Sequence, residues 1–102
     1  MVDEVEQAKQ QYGRLVVVEV DGKVLAFKPM DRAKITDIRT KLAKTPNLAL
    51  DILTNVCEFQ CVVGKEHFAD VARDYPLVVA GDDSIADALM TLARGSATVS
   101  VR

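Results

Sequence analysis

The stretch RLVVVEVDGKVLAFKP, Arg14 to Pro29, decides how the rest of the chain must be organised. Two runs rich in β-branched and aromatic residues flank Asp21-Gly22, a pair suited to a two-residue turn with both central residues at positive φ. Such a turn fixes the register. Val20 then faces Lys23, Val18 faces Leu25 and Val16 faces Phe27. Side chains alternate along a strand. One face therefore carries Val16, Val18, Val20, Leu25 and Phe27, and the other carries Leu15, Val17, Val24 and Ala26, diluted by Glu19 and Lys28.

An isolated hairpin is marginal in water, so the first face must meet helices. The second face is less polar than a solvated face should be, and both edges are open unless other strands cover them. Two readings remain for Leu15, Val17, Val24 and Ala26: packing inside the domain, or contact with a partner or a second copy.

The flanking sequence is helical. Val5, Ala8 and Tyr12 recur at helical spacing over 1–13, with Asp3 and Glu4 near the start and Gly13 as a stop. Pro29 ends the second strand, and Asp31 is placed to cap a helix carrying Ile35, Ile38 and Leu42. Thr45-Pro46 breaks that helix. Asn47 is placed to cap the next, whose Leu48, Leu50, Ile52, Leu53, Val56, Cys57 and Phe59 cover more than half its circumference and predict a central buried helix.

After a break at Gly64, a helix carries Phe68, Val71, Ala72 and Tyr75 and closes at Pro76, and Leu77 to Ala80 reads as a short apolar turn. Gly81-Asp82-Asp83-Ser84 reads as a loop and cap, with Asp82 or Asp83 accepting the first-turn N–H groups. The last helix presents Ile85, Ala88, Leu89 and Leu92, with Met90 among its outer apolar residues, and Gly95 stops it. In the tail SATVSVR, the alternation of Ala97, Val99 and Val101 fits a third strand or a loose end. The expected architecture is α+β: one mainly helical domain over 1–102. It comprises an N-terminal helix (1–13), a β-hairpin (14–29), four or five helices (31–95) and a tail (96–102).

Composition narrows the function. Hydrophobic residues at 49% and charged residues at 27% describe a folded chain rather than a disordered one. A net charge of −2 and only 5% aromatic residues argue against a nucleic-acid partner. No apolar run is long enough to span a bilayer. The acidic start MVDEVEQAKQ lacks the basic and apolar regions of a secretory signal, and two cysteines without one fit a reducing cytoplasm.

Both cysteines and the one histidine fall in VCEFQCVVGKEHF, Val56 to Phe68. If the helix runs through this stretch, Cys57 and Cys61 are i and i+4. Their Cβ atoms are then about 5–6 Å apart, against about 3.5–4.5 Å for a disulfide. Structural zinc needs four ligands, and His67 and Asp70 complete a set only if Gly64 folds them back. A reactive thiolate needs an electropositive site, whereas these neighbours are Val, Phe and Glu58. Two buried, reduced cysteines are the better reading. Lys28, Arg32, Lys34, Arg39, Lys41 and Lys44 make a basic stretch that is either a solvated face or a seat for an acidic partner segment. No Gly-rich phosphate loop, nucleophile elbow or His-Glu-x-x-His is present, so no catalytic residue, metal ligand or cofactor is expected.

Two segments carry a resemblance. VVVEVDGKVLAFKPMDRAKITDIR is similar to the start of the small tail assembly chaperones of long-tailed bacteriophages: a short hairpin around Asp-Gly, an aromatic, Lys-Pro, then a helix. CVVGKEHFADVARDYPLVVAGDDSIADALMTLARG resembles their second half: a Cys-Val-Val helix end, a polar helix start, Tyr-Pro and a last Ala/Leu-rich helix. The similarity covers roughly residues 14 to 95, and the alternating tail departs from it. It implies a non-enzymatic protein of the host cytoplasm that binds the tape measure protein, with the tail tube subunit as a second partner. It also implies loss from the finished virion. On that reading the contact candidates are Leu15, Val17, Val24 and Ala26 on the hairpin, or the last helix around Met90. A small structural virion protein of the tail or head–tail connector, and another non-enzymatic phage interaction protein, are the alternatives.

Overall fold

The computed structural model describes residues 4–94. The expected strand at 96–102 lies outside them. The order of elements is α1 (Glu4–Tyr12), β1 (Val16–Val20), β2 (Lys23–Phe27), α2 (Arg32–Lys44), a 3-10 turn (Pro46–Leu48), α3 (Ala49–Gln60), β3 (Cys61–Val63), α4 (Lys65–Asp74), α5 (Pro76–Ala80) and α6 (Ile85–Arg94). The fold is α+β and mainly helical, built around one antiparallel sheet in the order β1-β2-β3.

The hairpin has the expected register, Val20 to Lys23, Val18 to Leu25 and Val16 to Phe27. Asp21 at φ 52° and Gly22 at φ 77° supply the two left-handed residues of the turn. Leu25 and Phe27 are fully buried and join the main core with Ile38, Cys57, Phe68, Val79 and Leu89, while Val16, Val18 and Val20 pack at its margin. Phe27 meets Phe68 edge to face, with ring centroids 6.1 Å apart. On the opposite face α1 lays Ala8 over Ala26 and Val63, with Val5 and Leu15 beside them. The sheet is therefore covered on one side by the helical cluster and in part on the other by α1.

This corrects one expected contact: Ala26 has no exposed surface, because α1 and β3 cover it. Met90 is half-buried and packs against the main core, so it does not stand out as a surface contact.

The third strand of the described residues lies in the middle of the chain. The helix does not run through Cys61. It stops at Gln60, Cys61 turns to extended backbone (φ −70°, ψ 122°), and Cys61–Val63 pairs with Phe27 and Ala26 across an irregularity in register. Gln60 anchors the change. Its buried side-chain amide donates to the carbonyls of Lys28 (3.0 Å) and Pro29 (2.9 Å), and its backbone carbonyl accepts from the Lys28 N–H (2.9 Å). These three bonds tie the end of α3 to the exit of β2.

Gly64 then reverses the chain at φ 70°, and a Cβ there would overlap the carbonyl oxygen of Val24. Only glycine combines that backbone conformation with that approach. At the far end of the hairpin, the Tyr75 hydroxyl donates to Asp21 Oδ2 at 2.7 Å, joining the turn to the α4–α5 junction.

Other departures are local. α3 begins from the 3-10 turn without a side-chain cap, so Asn47 does not cap it. Its buried residues are Val56, Cys57 and Gln60, while Leu50 and Phe59 are exposed, as is Leu48 just before it. Leu77 to Ala80 belongs to a short helix that starts with Pro76 at its first position, a place where the missing N–H costs nothing. At the start of α6, Ser84 Oγ accepts from the Asp87 N–H and Asp87 in turn accepts from the Asp83 N–H. Ser84 thus caps the helix in place of the expected Asp82 or Asp83, and Asp31 caps α2 as expected through the Lys34 N–H at 2.8 Å.

Two substitutions test this framework. Gly64→Ala is expected to destabilise the fold by more than about 2 kcal/mol, from left-handed strain plus backbone overlap. Gln60→Leu is expected to cost about 1–3 kcal/mol by stranding two carbonyls. Urea denaturation monitored by circular dichroism measures both, and wild-type midpoints would contradict the roles given to these residues.

Candidate functional site

The two thiols are placed for packing. Cys57 is fully buried and its Sγ lies 3.7 Å from the Val79 carbonyl, joining α3 to α5, while Cys61 Sγ donates to the Val63 carbonyl at 3.3 Å. Both are free cysteines. Burial pushes the Cys57 thiol up to about 12, with the nearby Cys61 adding to the rise. Burial likewise raises Cys61 to about 11, against a partly offsetting pull from Lys65. A thiol this basic is a poor nucleophile at neutral pH. His67 is half-exposed and its Nε2 lies 3.5 Å from the Glu66 carboxylate. Among the described residues no group of three or more His, Cys, Asp or Glu side chains converges on a metal-sized site.

The surface beside β1 is different in character. The two-residue turn makes 20–23, 18–25 and 16–27 the pairs that exchange hydrogen bonds. The N–H and C=O groups of Val17 and Glu19 therefore point off the open side of the sheet, and no backbone bond among the described residues reaches them. α6 packs against β1 and leaves two adjoining hollows along that edge, of about 390 and 380 Å³. They share Val16, Asp83, Ser84 and Ala88. Arg14, Thr91 and Leu92 line one end, and Val18, Leu77 and Val78 line the other. The two form a mostly apolar trough between a free strand edge and the helices α5 and α6. Val17, 51% exposed, and Leu77, 70% exposed, stand at its rim.

The expected contact residues thus separate. Val17 stands at the trough. Val24, 40% exposed, lies on the sheet face away from the main core. Leu15 is half-buried and packs with the α1 cluster. Ala26 and Met90 are taken up in packing. Leu77, Ala88 and the aspartates of the α5–α6 loop were not legible as a site, because only the packing of α6 against β1 places them opposite the strand. The one sequence-level hint was Leu77, an apolar residue directly after Tyr-Pro.

A second surface feature lies at the end of α3. Exposed Phe59 carries the Lys34 ammonium 4.1 Å from its ring centroid and the Lys28 ammonium at 5.5 Å, and Lys28 also sits 5.6 Å from Tyr12. The two ammonium groups sit where the ring's negative face attracts a cation, an interaction that an exposed phenylalanine can make in water. On α2, Lys41 pairs with Asp37 at 3.0 Å, so part of the basic stretch is neutralised locally.

The fold and this edge trough define a small, mainly helical α+β protein whose sheet has an open edge among the described residues. No family model and no curated protein matches the chain. A solved structure of an uncharacterised protein from Bacillus stearothermophilus aligns with a TM-score of 0.66 at 24% identity, covering 96% of this chain and 99% of that one. At that identity the likeness establishes a shared fold alone.

The thiols give a pH test. Both pKa values lie above the ordinary 9.0, so the folded chain holds protons that the unfolded chain releases as pH rises past 9. Stability from this source is complete below pH 9 and is lost as pH climbs toward 11 and 12. The urea midpoint should fall over that window, and the Cys57→Ala/Cys61→Ala variant should show a shallower fall. An unchanged slope would assign the titration to other groups.

Proposed function

We propose that the chain is a tail assembly chaperone of a long-tailed bacteriophage or prophage. On this reading it acts in the host cytoplasm, without catalysis, by binding apolar segments of the tape measure protein until tail tube subunits assemble around it. The observation that carries the reading is the trough along β1. It is open and mostly apolar, with Val17 and Leu77 exposed at its rim. An exposed apolar groove of this kind suits temporary cover for another chain's hydrophobic surface. The resemblance of residues 14–95 supplies the biological context. No helix among the described residues is long and apolar enough to cross a membrane, which agrees with a partner in solution.

Co-expression with the tape measure protein encoded beside it is expected to raise the soluble yield of that protein and to give a co-purifying complex. Leu77→Glu, which puts a charge at the rim without touching the core, should cut the recovered complex about 10-fold. Absence of a complex across a range of salt would sink the proposal. Mass spectrometry of purified particles separates the alternative: abundant copies in the virion would make the chain a structural tail or connector component.

A further inference from the structure

We infer that the trough takes its partner as an extended segment that adds a fourth strand to β1, with alternating small apolar side chains and Lys or Arg at its flanks. The inference deepens the reading of this surface as an interaction site. Two independent features carry it.

The first is the wall of the trough. The outward N–H and C=O groups of Val17 and Glu19 form a row of donors and acceptors that no described backbone group satisfies. A helix has used its own backbone groups and cannot bond to them, whereas a strand can. In a strand laid beside β1, every second side chain faces the side on which α6 packs. There it meets Val78, Ala88 and Leu92, which suit side chains the size of Val or Thr.

The second is charge. Asp82, Asp83 and Asp87 are exposed along the helical rim, and Arg14 is the one cation among the lining residues. Glu19 adds a further exposed carboxylate on β1 itself. The rim therefore favours a basic segment and disfavours an acidic one.

The test uses the full chain and fluorescein-labelled peptides in an anisotropy titration. The probe is Lys-Val-Ser-Val-Thr-Val-Lys, and its counterpart carries Glu at both ends. The Lys peptide is expected to bind in the micromolar range, at least about 10-fold tighter than the Glu peptide, with the preference shrinking as salt rises. Val17→Pro removes an outward N–H that β2 does not use, so the hairpin is retained while the added strand loses a bond. It should weaken the Lys peptide about 10-fold with an unchanged circular dichroism spectrum. Ala88→Arg, which narrows the trough and reverses its charge, should weaken it independently. Failure of the Lys peptide to bind at millimolar concentration, or binding unaffected by both variants, overturns the inference.

Two other occupants are distinguishable. Amide protection of Val99 and Val101 in the free chain that Val17→Pro abolishes would make the chain's own tail the strand. A dimer in sedimentation that Val17→Pro dissociates would make it a second copy. Either result overturns the partner assignment. The peptide assay contains no tail protein, so its failure leaves the co-expression result standing, and a failed co-expression leaves the peptide result standing.

Discussion

The amide of Gln60 is the point on which the geometry turns. Hydrogen bonds to Lys28 and Pro29, the first across 32 residues of sequence, hold the end of α3 against the exit of β2. Because the helix ends there, Cys61–Val63 is free to extend beside Phe27 and Ala26. A hairpin that would be marginal alone becomes a three-stranded sheet with β2 at its centre. Gly64 completes the arrangement by sending the chain back beneath the sheet as α4, which delivers Phe68 to Phe27. A polar side chain at the core boundary thus decides where helix stops and strand begins.

The hairpin was legible from residue order because its signals are local. Asp21-Gly22 admits one turn type, and the turn sets every cross-strand pair. Helix stripes and the Asp31 cap were legible for the same reason. The strand Cys61–Val63 was not. Over three residues it has no measurable alternation, and Cys57 and Cys61 fit a helical stripe as well as Leu50 and Leu53 did. What separates helix from strand at Cys61 is a bond to residues far back in the chain, which no local pattern contains. The same limit applies to Leu50 and Phe59, apolar by type yet exposed. The lysine ammonium groups reach Phe59 only once α2 and the strand exit are in place.

The candidate surface divides in a similar way. Val17 was readable as an apolar residue on the second face of the hairpin, where packing inside the domain and contact with a partner were both open; the structure leaves it 51% exposed. That Ala26, nine residues along and on the same face, is fully buried follows from Ala8 of α1 and Val63 of β3 packing against it. The trough itself arises from a long-range fact, the packing of α6 against β1, and its helical rim charges come from the loop before α6 and from the first turn of that helix. Its two walls are thus supplied by segments far apart in the chain, one by the hairpin and one by the last helix.

The contact between Tyr75 and Asp21 has a thermodynamic consequence for that edge. Gln60 secures the hairpin at its root, and the tyrosine hydroxyl secures it at its tip. The edge strand β1, paired along its length to a β2 fixed at its exit and joined to it by that tethered turn, has little conformational freedom left to lose when something docks on it. Ordering entropy is a major cost of association, so an edge that is already ordered leaves that cost mainly with the incoming chain. Selectivity would then follow from which segments extend readily, and less from how far this protein can adapt to them.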